Sequence, residues 1–541
     1  MKNEDLVQLP RSACDLGDRS ENELLRQKKH NFSRHIKFSI LTPLYNPPLE
    51  FLKEMIESVC SQTYSDWELC LADGSGEKDA QAVSRLCNSF TQRDSRILYY
   101  KLPQNLGISG NTNECIKMSS GDYLIPVDQD DLLHPSALYE LMKAIEAQKA
   151  DFLYTDEVKF SQSIEECYAP NYKPDYAPDE LLAHNYICHL ACFKRELVEK
   201  VGRYDSDYDG SQDHDMVLKI SECADRIVHI QKLLYFWRVH PGSVASGVGV
   251  KSYAVDAGIR AVEAAIRRRG ENAAVHSRPG FPSLYEAVYE LHDPNVPVDV
   301  LIYNVSDTKQ LKDCIEHLDK HQFRRNIRLI ILCSEEIFES VKTALWDAPT
   351  VWPFRIETFT QGNSYAAAEK IVKASSADLF VFVSADTLVE TDNWCGILQQ
   401  YAQQSHIAFV APYIWKKNGS VYDVGLTAAA GKLRPILASY HRGNVGYEAM
   451  LRHVRNASFI SGKLCMISRS KLLEVLDTKQ EKHIDIPQLC PKLREKGFLH
   501  MVLPYVDANT AEDTSAEEFP LNMAPLALND PYVNRNLENY I

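Results

Sequence analysis

The run Asp128-Gln129-Asp130-Asp131 follows directly on the apolar stretch Tyr123-Leu124-Ile125-Pro126-Val127. Acidic side chains crowded at the end of a buried strand are costly unless a cation or ligand compensates them. Two carboxylates one residue apart present only oxygen ligands. That chemistry suits a hard divalent ion, Mn2+ or Mg2+, that also holds phosphate oxygens. The residues therefore predict a site where a nucleoside diphosphate is held through a metal.

Such a pair needs a scaffold, and the surrounding pattern supplies one. Phe38 to Thr42, Trp67 to Ala72, Arg96 to Leu102, Tyr123 to Val127 and Phe152 to Thr155 read as strands. Between them lie helical stretches. Leu49, Leu52, Met55, Ile56 and Val59 recur at helical spacing, with Pro48 suited to the first turn. Residues 78–92, 109–118 and 135–148 follow as further helices. Strand-helix alternation of this sort builds an α/β fold with a mostly parallel sheet. Ligands on such sheets bind outside the carboxyl ends of the strands. Tyr45-Asn46, Asp73-Gly74-Ser75, Asn105 to Asn113 and Asp128 to Asp131 should then meet along one edge.

The chain has 541 residues, too many for a single core. Residues 1–35 read as a polar extension, with one helical pattern near Glu21 to Lys29. A first domain spans 36–280. Pro279, Pro282, Pro294 and Pro297 cluster around a linker at 281–297. From 298 the pattern restarts, with strands at Val298 to Tyr303, Arg328 to Cys333 and Leu379 to Val383, and a helix from Thr308. Residues 298–541 thus read as a second copy of the same domain type.

A net charge of −15 argues against a nucleic-acid partner. No apolar run approaches the roughly 20 residues of a membrane span, and Met1 to Asp18 is too polar for a secretory signal. The fourteen cysteines show no metal-ligand spacing and read as reduced thiols of a cytoplasmic protein. Arg267-Arg268-Arg269 and Arg26 to His30 are basic enough to meet anionic lipid, although solvated faces explain both.

Several stretches, in order, carry a resemblance. They are Pro43-Leu44-Tyr45-Asn46-Pro47, Ser61 to Tyr64, Trp67 to Asp73, Gly107 to Ser109 with Asn113, and Val127 to Asp131. Later come Tyr154-Thr155-Asp156, Tyr172 to Asp175, Gly210 to Asp215, Trp237 to Ser243, and Asn529 to Tyr532 with Asn534, Asn536 and Leu537. In these the chain resembles family 2 glycosyltransferases of the GT-A fold, a Rossmann-like nucleotide-diphospho-sugar transferase architecture. The nearest type is the tandem, rhamnosyltransferase-like enzymes of bacterial surface-polysaccharide and O-antigen assembly.

The resemblance implies an inverting, metal-dependent transferase. Its donor would be a nucleoside-diphosphate sugar, dTDP-rhamnose being the one suggested. Its acceptor would be a lipid-linked saccharide reached from the cytoplasmic face by peripheral contact. Pro43, Tyr45, Asp73, Asn105, Gly107, Asn113 and Asp128 would bind the nucleotide sugar. Asp130 and His240 would hold the metal. Asp213 would be the general base, on the first turn of a helix capped by Ser211. Plainer alternatives stand beside these roles: a turn aspartate at Asp73 before Gly74, a helix cap at Asn113, an ordinary polar histidine at 240.

The second half keeps less of this chemistry. Cys333-Ser334-Glu335-Glu336 stands where the nucleotide-side aspartate is expected, and Ser384-Ala385-Asp386 retains one carboxylate of the acidic pair. Ile486 matches the base position, with Asp485 one residue out of register, and no histidine lies between Val506 and Ser515. The second domain is therefore expected to be degenerate, holding acceptor glycan, docking the first domain or making an oligomer. Two rivals remain. A sugar nucleotidyltransferase would want a Gly-rich basic loop after the first strand, where this chain has Pro43 to Pro48. A non-catalytic glycan or sugar-nucleotide scaffold would not need the full set in the first domain.

Overall fold

Continuous apolar runs form buried parallel strands here because helices cover both faces of the sheet. In the computed structural model these are β1 (Phe38–Leu44), β2 (Trp67–Asp73), β3 (Ile97–Lys101) and β4 (Tyr123–Pro126). β1 pairs in parallel with β2 and β4, and β2 with β3. The structure describes residues 9–240, 252–322, 326–346, 350–360, 364–429, 432–476, 485–511, 519–520, 530–537 and 540. Among the sequence motifs, Pro241 to Ser243, Asn529 and positions 512–515 lie outside them.

The sheet is extended by β5 (Leu132–Leu133), β6 (Phe152–Phe160), β7 (Tyr168–Asn171), β8 (Ala191–Lys194) and β9 (Ile227–Arg238). Its order is β3-β2-β1-β4-β8-β6-β9-β5, with β7 beside β6. β8 runs antiparallel to β4 and β6. The sheet is therefore mixed: the β1–β4 half that the sequence pattern located is parallel, β8 is the antiparallel insertion, and β6 and β9 pair in parallel beyond it. Leu44 pairs with Asp73 and Phe38 with Tyr123, so these strands end at one edge.

The helices of this unit are α1 (Glu21–Lys28), α2 (Leu49–Cys60), α3 (Glu77–Thr91), α4 (Gly107–Met118), α5 (Ala137–Gln148), α6 (Pro178–Ala183), α7 (Arg195–Val201), α8 (Gln212–Ser221) and α9 (Ser252–Arg268). α2 buries Leu52, Met55, Ile56 and Val59, while Pro48 takes the N-cap one residue before the helix. These side chains join Phe38, Ile40, Leu69, Leu71 and Ile125 in one core. Burial of each such aliphatic side chain contributes about 1.5–3 kcal/mol.

The chain divides into Met1–Ala287 with Val533–Tyr540, and Val288–Tyr532 with Ile541. The N-terminal extension is built into the first unit. Thr63 donates to Gln27 Oε1 at 2.8 Å, and Leu9 and Ala13 are buried. The C-terminal tail also returns to this unit, where Asn534 Nδ2 donates to Asp156 Oδ2 at 3.1 Å. The proline-rich linker is not structureless, because β10 (Ala273–Arg278) pairs with β11 (Phe281–Tyr289).

The second unit contains β12 (Val298–Tyr303), β13 (Ile327–Ser334), β14 (Phe354–Phe359), β15 (Leu379–Ser384), β16 (Thr387–Val389), β17 (Ile407–Trp415) and β18 (Val421–Asp423). β19 (Leu426–Ala429) and β20 (Lys432–Pro435) belong to a small separate sheet, and β21 (Arg455–Ala457), β22 (Leu464–Ser468) and β23 (Leu499–Thr510) complete the main one. Its order, β14-β13-β12-β15-β22-β17-β23-β16, repeats the first sheet strand for strand. Its helices are α10 (Thr308–Lys320), α11 (Phe338–Leu345), α12 (Ser364–Ala374), α13 (Trp394–Ala402), α14 (Arg469–Leu473) and α15 (Ile486–Glu495). The expected tandem repeat of one α/β domain type is thus visible in the order of the strands.

Candidate active site

The acidic run forms a turn between β4 and β5, held from three sides. Gln129 accepts from the Tyr45 N–H at 2.9 Å and donates to the Tyr45 carbonyl at 3.3 Å, tying the end of β1 to the turn. Asp131 is buried; it accepts from the Tyr235 hydroxyl at 2.6 Å and from the Arg238 N–H at 2.7 Å. Burial, then the charge of Asp128, pushes the Asp131 carboxyl well above the usual range. Arg238 Nε donates to the Asp130 carbonyl at 2.7 Å and its guanidinium pairs with Glu54 at 2.6 Å. Arg238 thereby fixes the backbone from which Asp130 projects.

Pairing of Leu132 with Phe236 brings the end of β9 beside this turn. Asp130 Oδ2 and His240 Nε2 consequently lie 2.9 Å apart. Both side chains are only about one-fifth exposed (20% and 22%), and the His240 ring leans on Phe51 at 5.3 Å. Asp128 is 57% exposed. Enclosure by the site raises its carboxyl above the usual range; His189 draws it down, while the Asp130 and Asp213 charges push it up. Water at the open face tempers all three effects. The Asp213 charge is thus near enough to be felt at Asp128.

Asp213 lies on the first turn of α8, where Asn185 Nδ2 donates to its Oδ2 at 3.0 Å. Ser211 holds the N-cap position, but its side chain does not cap. Its hydroxyl donates to the Ala254 carbonyl at 2.9 Å, and Gln212 Oε1 accepts from the Gly210 N–H instead. Asp215 is buried against Lys219 at 2.6 Å, which gives it a structural partner.

Along the edge expected to meet the nucleotide, Pro43 is in β1 beside Ala72, and Tyr45 stands exposed just past the strand. Asp73 is fully buried. It accepts from the Tyr99 hydroxyl at 2.8 Å and from the Ser75 N–H at 2.8 Å, the second bond being that of a turn aspartate. Lys101 donates to the Asp73 and Ser75 carbonyls at 3.1 and 2.6 Å. Asn105 Oδ1 accepts from the Gly107 N–H and from Asn111 Nδ2. A Cβ on Gly74 would come within 2.7 Å of Asn111 Nδ2 and 3.0 Å of Asn105 Oδ1, so a side chain there would have to displace the Asn105–Asn111 pair. Gly107 has φ +79° and sits 3.0 Å, at its would-be Cβ, from Asp209 Oδ2. Asn113 does not cap a helix. Its amide donates to the Tyr204 carbonyl and accepts from the Tyr204 N–H at 2.8 and 3.1 Å.

The sequence patterns did not single out His189. Its Nε2 lies 3.7 Å from Asp128 Oδ2 and its Nδ1 3.4 Å from Glu157 Oε2. The ring stacks on Tyr235 at 4.7 Å and meets the edge of Trp237 at 5.3 Å. Behind it, Lys173 pairs with the buried Glu157 at 3.2 Å. Burial works to raise the Glu157 carboxyl, but Lys173 and then His189 outweigh it and hold it down to about 2. The stretch from His184 to Cys192 carries no spacing that singles out His189; only the packing of β6, β8 and β9 brings it to Asp128.

The repeated register allows the second unit to be compared place by place. Counting from the paired residues that open each set of strands, Asp73 corresponds to Cys333, Asp128 to Ser384 and Asp130 to Asp386. Asp386 is nearly buried and bonded to Lys463 Nζ at 2.7 Å, Thr510 Oγ1 at 2.6 Å and Ser384 Oγ at 2.5 Å. Burial works to raise its carboxyl, yet Lys463 holds it below the usual range. α15 begins at Ile486, so by helix position Asp213 corresponds to Pro487, one residue beyond the match expected. Asp485 is the N-cap of that helix.

Residues 39–202 match the domain described as Glycosyl transferase family 2. The chain is 28% identical over 520 residues to the uncharacterized protein y4gI of Sinorhizobium fredii, across 93% of this chain and 56% of that protein. It is 29% identical over 416 residues to the O-antigen biosynthesis protein RfbC of Myxococcus xanthus, across 74% of this chain and 31% of that one. The solved structure of S. aureus TarS 1-349 in complex with UDP-GlcNAc aligns at 17% identity and a TM-score of 0.35, covering 43% of this chain and 66% of that one. The chain spans little more than half the length of y4gI and under a third of RfbC. The match to the family 2 glycosyl transferase domain thus spans residues 39–202, the segment that carries the strand-end acids Asp128, Asp130 and Asp131.

Proposed function

We propose that the chain is a metal-dependent, inverting glycosyltransferase. It moves a sugar from a nucleoside-diphosphate donor to a saccharide acceptor in surface-polysaccharide assembly. The reading is carried by one observation: Asp130 Oδ2 and His240 Nε2 stand 2.9 Å apart beside Asp128. An oxygen and an imidazole nitrogen at that spacing fit two neighbouring ligands of one divalent ion. Such an ion, when bound, neutralises the diphosphate as the sugar bond breaks.

The chain's own residues account for the rest. Asp213 takes the proton of the acceptor hydroxyl as that oxygen attacks the anomeric carbon from the face opposite the diphosphate. The positive end of α8 favours its ionised form. Asn185 orients the carboxylate through Oδ2. Asp73, Asn105 and Gly107 form the wall against the nucleoside, with Pro43 and Tyr45 at its rim, and Asn113 braces that wall through Tyr204. Asp128 meets the ribose or the ion's bound water. The second unit is proposed to be non-catalytic, since Cys333, Ser384 and Pro487 stand where the first unit has Asp73, Asp128 and Asp213.

Relatedness to a protein named for O-antigen biosynthesis supports the surface-polysaccharide setting. The suggested donor is dTDP-rhamnose and the acceptor a lipid-linked saccharide, met at the cytoplasmic face by peripheral contact. No described helix is long and apolar enough to cross a membrane. A thermal-shift panel of nucleoside-diphosphate sugars, with and without Mn2+, tests the reading, because a ligand of the native state raises Tm. One donor should raise Tm only when Mn2+ is present, and Asp130→Ala should erase that rise. A rise that ignores both Mn2+ and Asp130 counts against a metal-held diphosphate.

A further inference from the structure

The two units place different residues at one equivalent position beside the strand-end acids. β8 pairs Lys194 with Tyr123, and β22 pairs Ser468 with Leu379. His189 and Lys463 each precede that pairing residue by five positions. Both reach the acidic turn, but not the same carboxylate. Lys463 Nζ lies 2.7 Å from Asp386 Oδ2, the counterpart of Asp130. His189 Nε2 lies 3.7 Å from Asp128 Oδ2 and leaves Asp130 to His240.

We propose that this position decides whether the acidic turn admits a divalent cation, with His189 acting as a positioning residue that keeps Asp130 open. The inference rests on the metal-dependent reading above. An ammonium is a compact charge on a long flexible stem. At Lys463 it fills the place a metal would take and bonds the remaining carboxylate directly. The imidazole at 189 cannot extend that far, because its place is fixed from several directions. Its face lies on Tyr235 and its edge on Trp237. The backbone of the same residue is held too: the His189 main-chain N–H donates to Glu157 Oε2 at 3.2 Å, and the main-chain carbonyl accepts from Lys173. Tyr235 couples the ring to the turn, since its hydroxyl bonds both Asp131 Oδ2 and the Asp128 N–H. His189 therefore steadies Asp128 from behind without covering Asp130.

The test is an electron paramagnetic resonance titration of the full chain with Mn2+ alone, with melting followed by circular dichroism as a separate readout of packing. The native chain should bind Mn2+ in a manner abolished by Asp130→Asn. His189→Lys should weaken Mn2+ binding at least tenfold, whereas His189→Asn should remain within threefold of native even if Tm falls. His189→Arg carries the same expectation as His189→Lys and serves if the lysine variant does not fold. Native-like Mn2+ binding in the lysine or arginine variant overturns the proposal, as do equal losses in the asparagine and lysine variants. Absence of any Asp130-dependent Mn2+ binding in the native chain instead overturns the metal reading itself.

Discussion

The two units share a scaffold and differ at its edge. Their main sheets follow the same strand order, with the same parallel opening of four strands and the same antiparallel insertion next to it. At the ends of those strands the chemistry diverges. The first unit presents Asp73, Asp128, Asp130, Asp213 and His240, and the second presents Cys333, Ser384, Asp386 and Pro487, with Lys463 already neutralising the one acid left. The comparison teaches that the fold depends on many apolar positions and tolerates replacement at the edge. The edge chemistry rests instead on a few single polar positions.

The largest effect should come from the base. Asp213→Asn is expected to lower transfer by on the order of 10²–10⁴-fold while leaving the Mn2+-dependent thermal shift intact. Turnover close to native would remove Asp213 from its role. Next is the pair of matched acids. Asp130→Ala should cost on the order of 10²-fold or more in turnover, because the ion loses a ligand. Asp386→Ala should leave turnover nearly unchanged but lower stability by about 3–5 kcal/mol, because it removes one partner of a nearly buried ion pair. Comparable losses of turnover in both would make the second unit a working site.

The smallest effect concerns acid stability. Glu157, held down to about 2 by Lys173 and His189 against burial, binds its proton more readily in the unfolded chain. Its contribution is therefore complete above its ordinary range and fades as the pH falls from about 4.5 to 2. The linkage amounts to roughly 3 kcal/mol. Urea midpoints measured from pH 7 to pH 3 should fall less steeply in Glu157→Gln than in the native chain. Parallel curves would show that the Glu157–Lys173 pair contributes nothing to the folding of the first unit.

Much of the scaffold was legible because its signals are local. Strands read at 38–42, 67–72, 123–127, 298–303 and 379–383 were visible as short, mostly apolar runs, and α2 as a helical spacing. The sheet's antiparallel insertion was not, since nothing in Ala191–Lys194 announces its partners. Ser211 marked the start of α8, but its hydroxyl was diverted by the close approach of α9 at Ala254. Asn113 looked like a nucleoside or capping residue from its place on α4. Its amide instead clasps the Tyr204 backbone, a partner 91 residues away.

Taken alone, the order of residues determined the repeated sheet, the edge where the strands end, and the acidic character of that edge. Hydrophobic burial and backbone pairing act over runs of residues and leave a periodic trace in the chain. The tertiary structure alone decided that His240 meets Asp130 across 110 residues, that Arg238 and Gln129 brace the turn, and that Lys463 pairs with Asp386 in the second copy. Those are contacts between single side chains brought together by β5–β9 pairing and the approach to β8 and β22, and such contacts leave no periodicity to read.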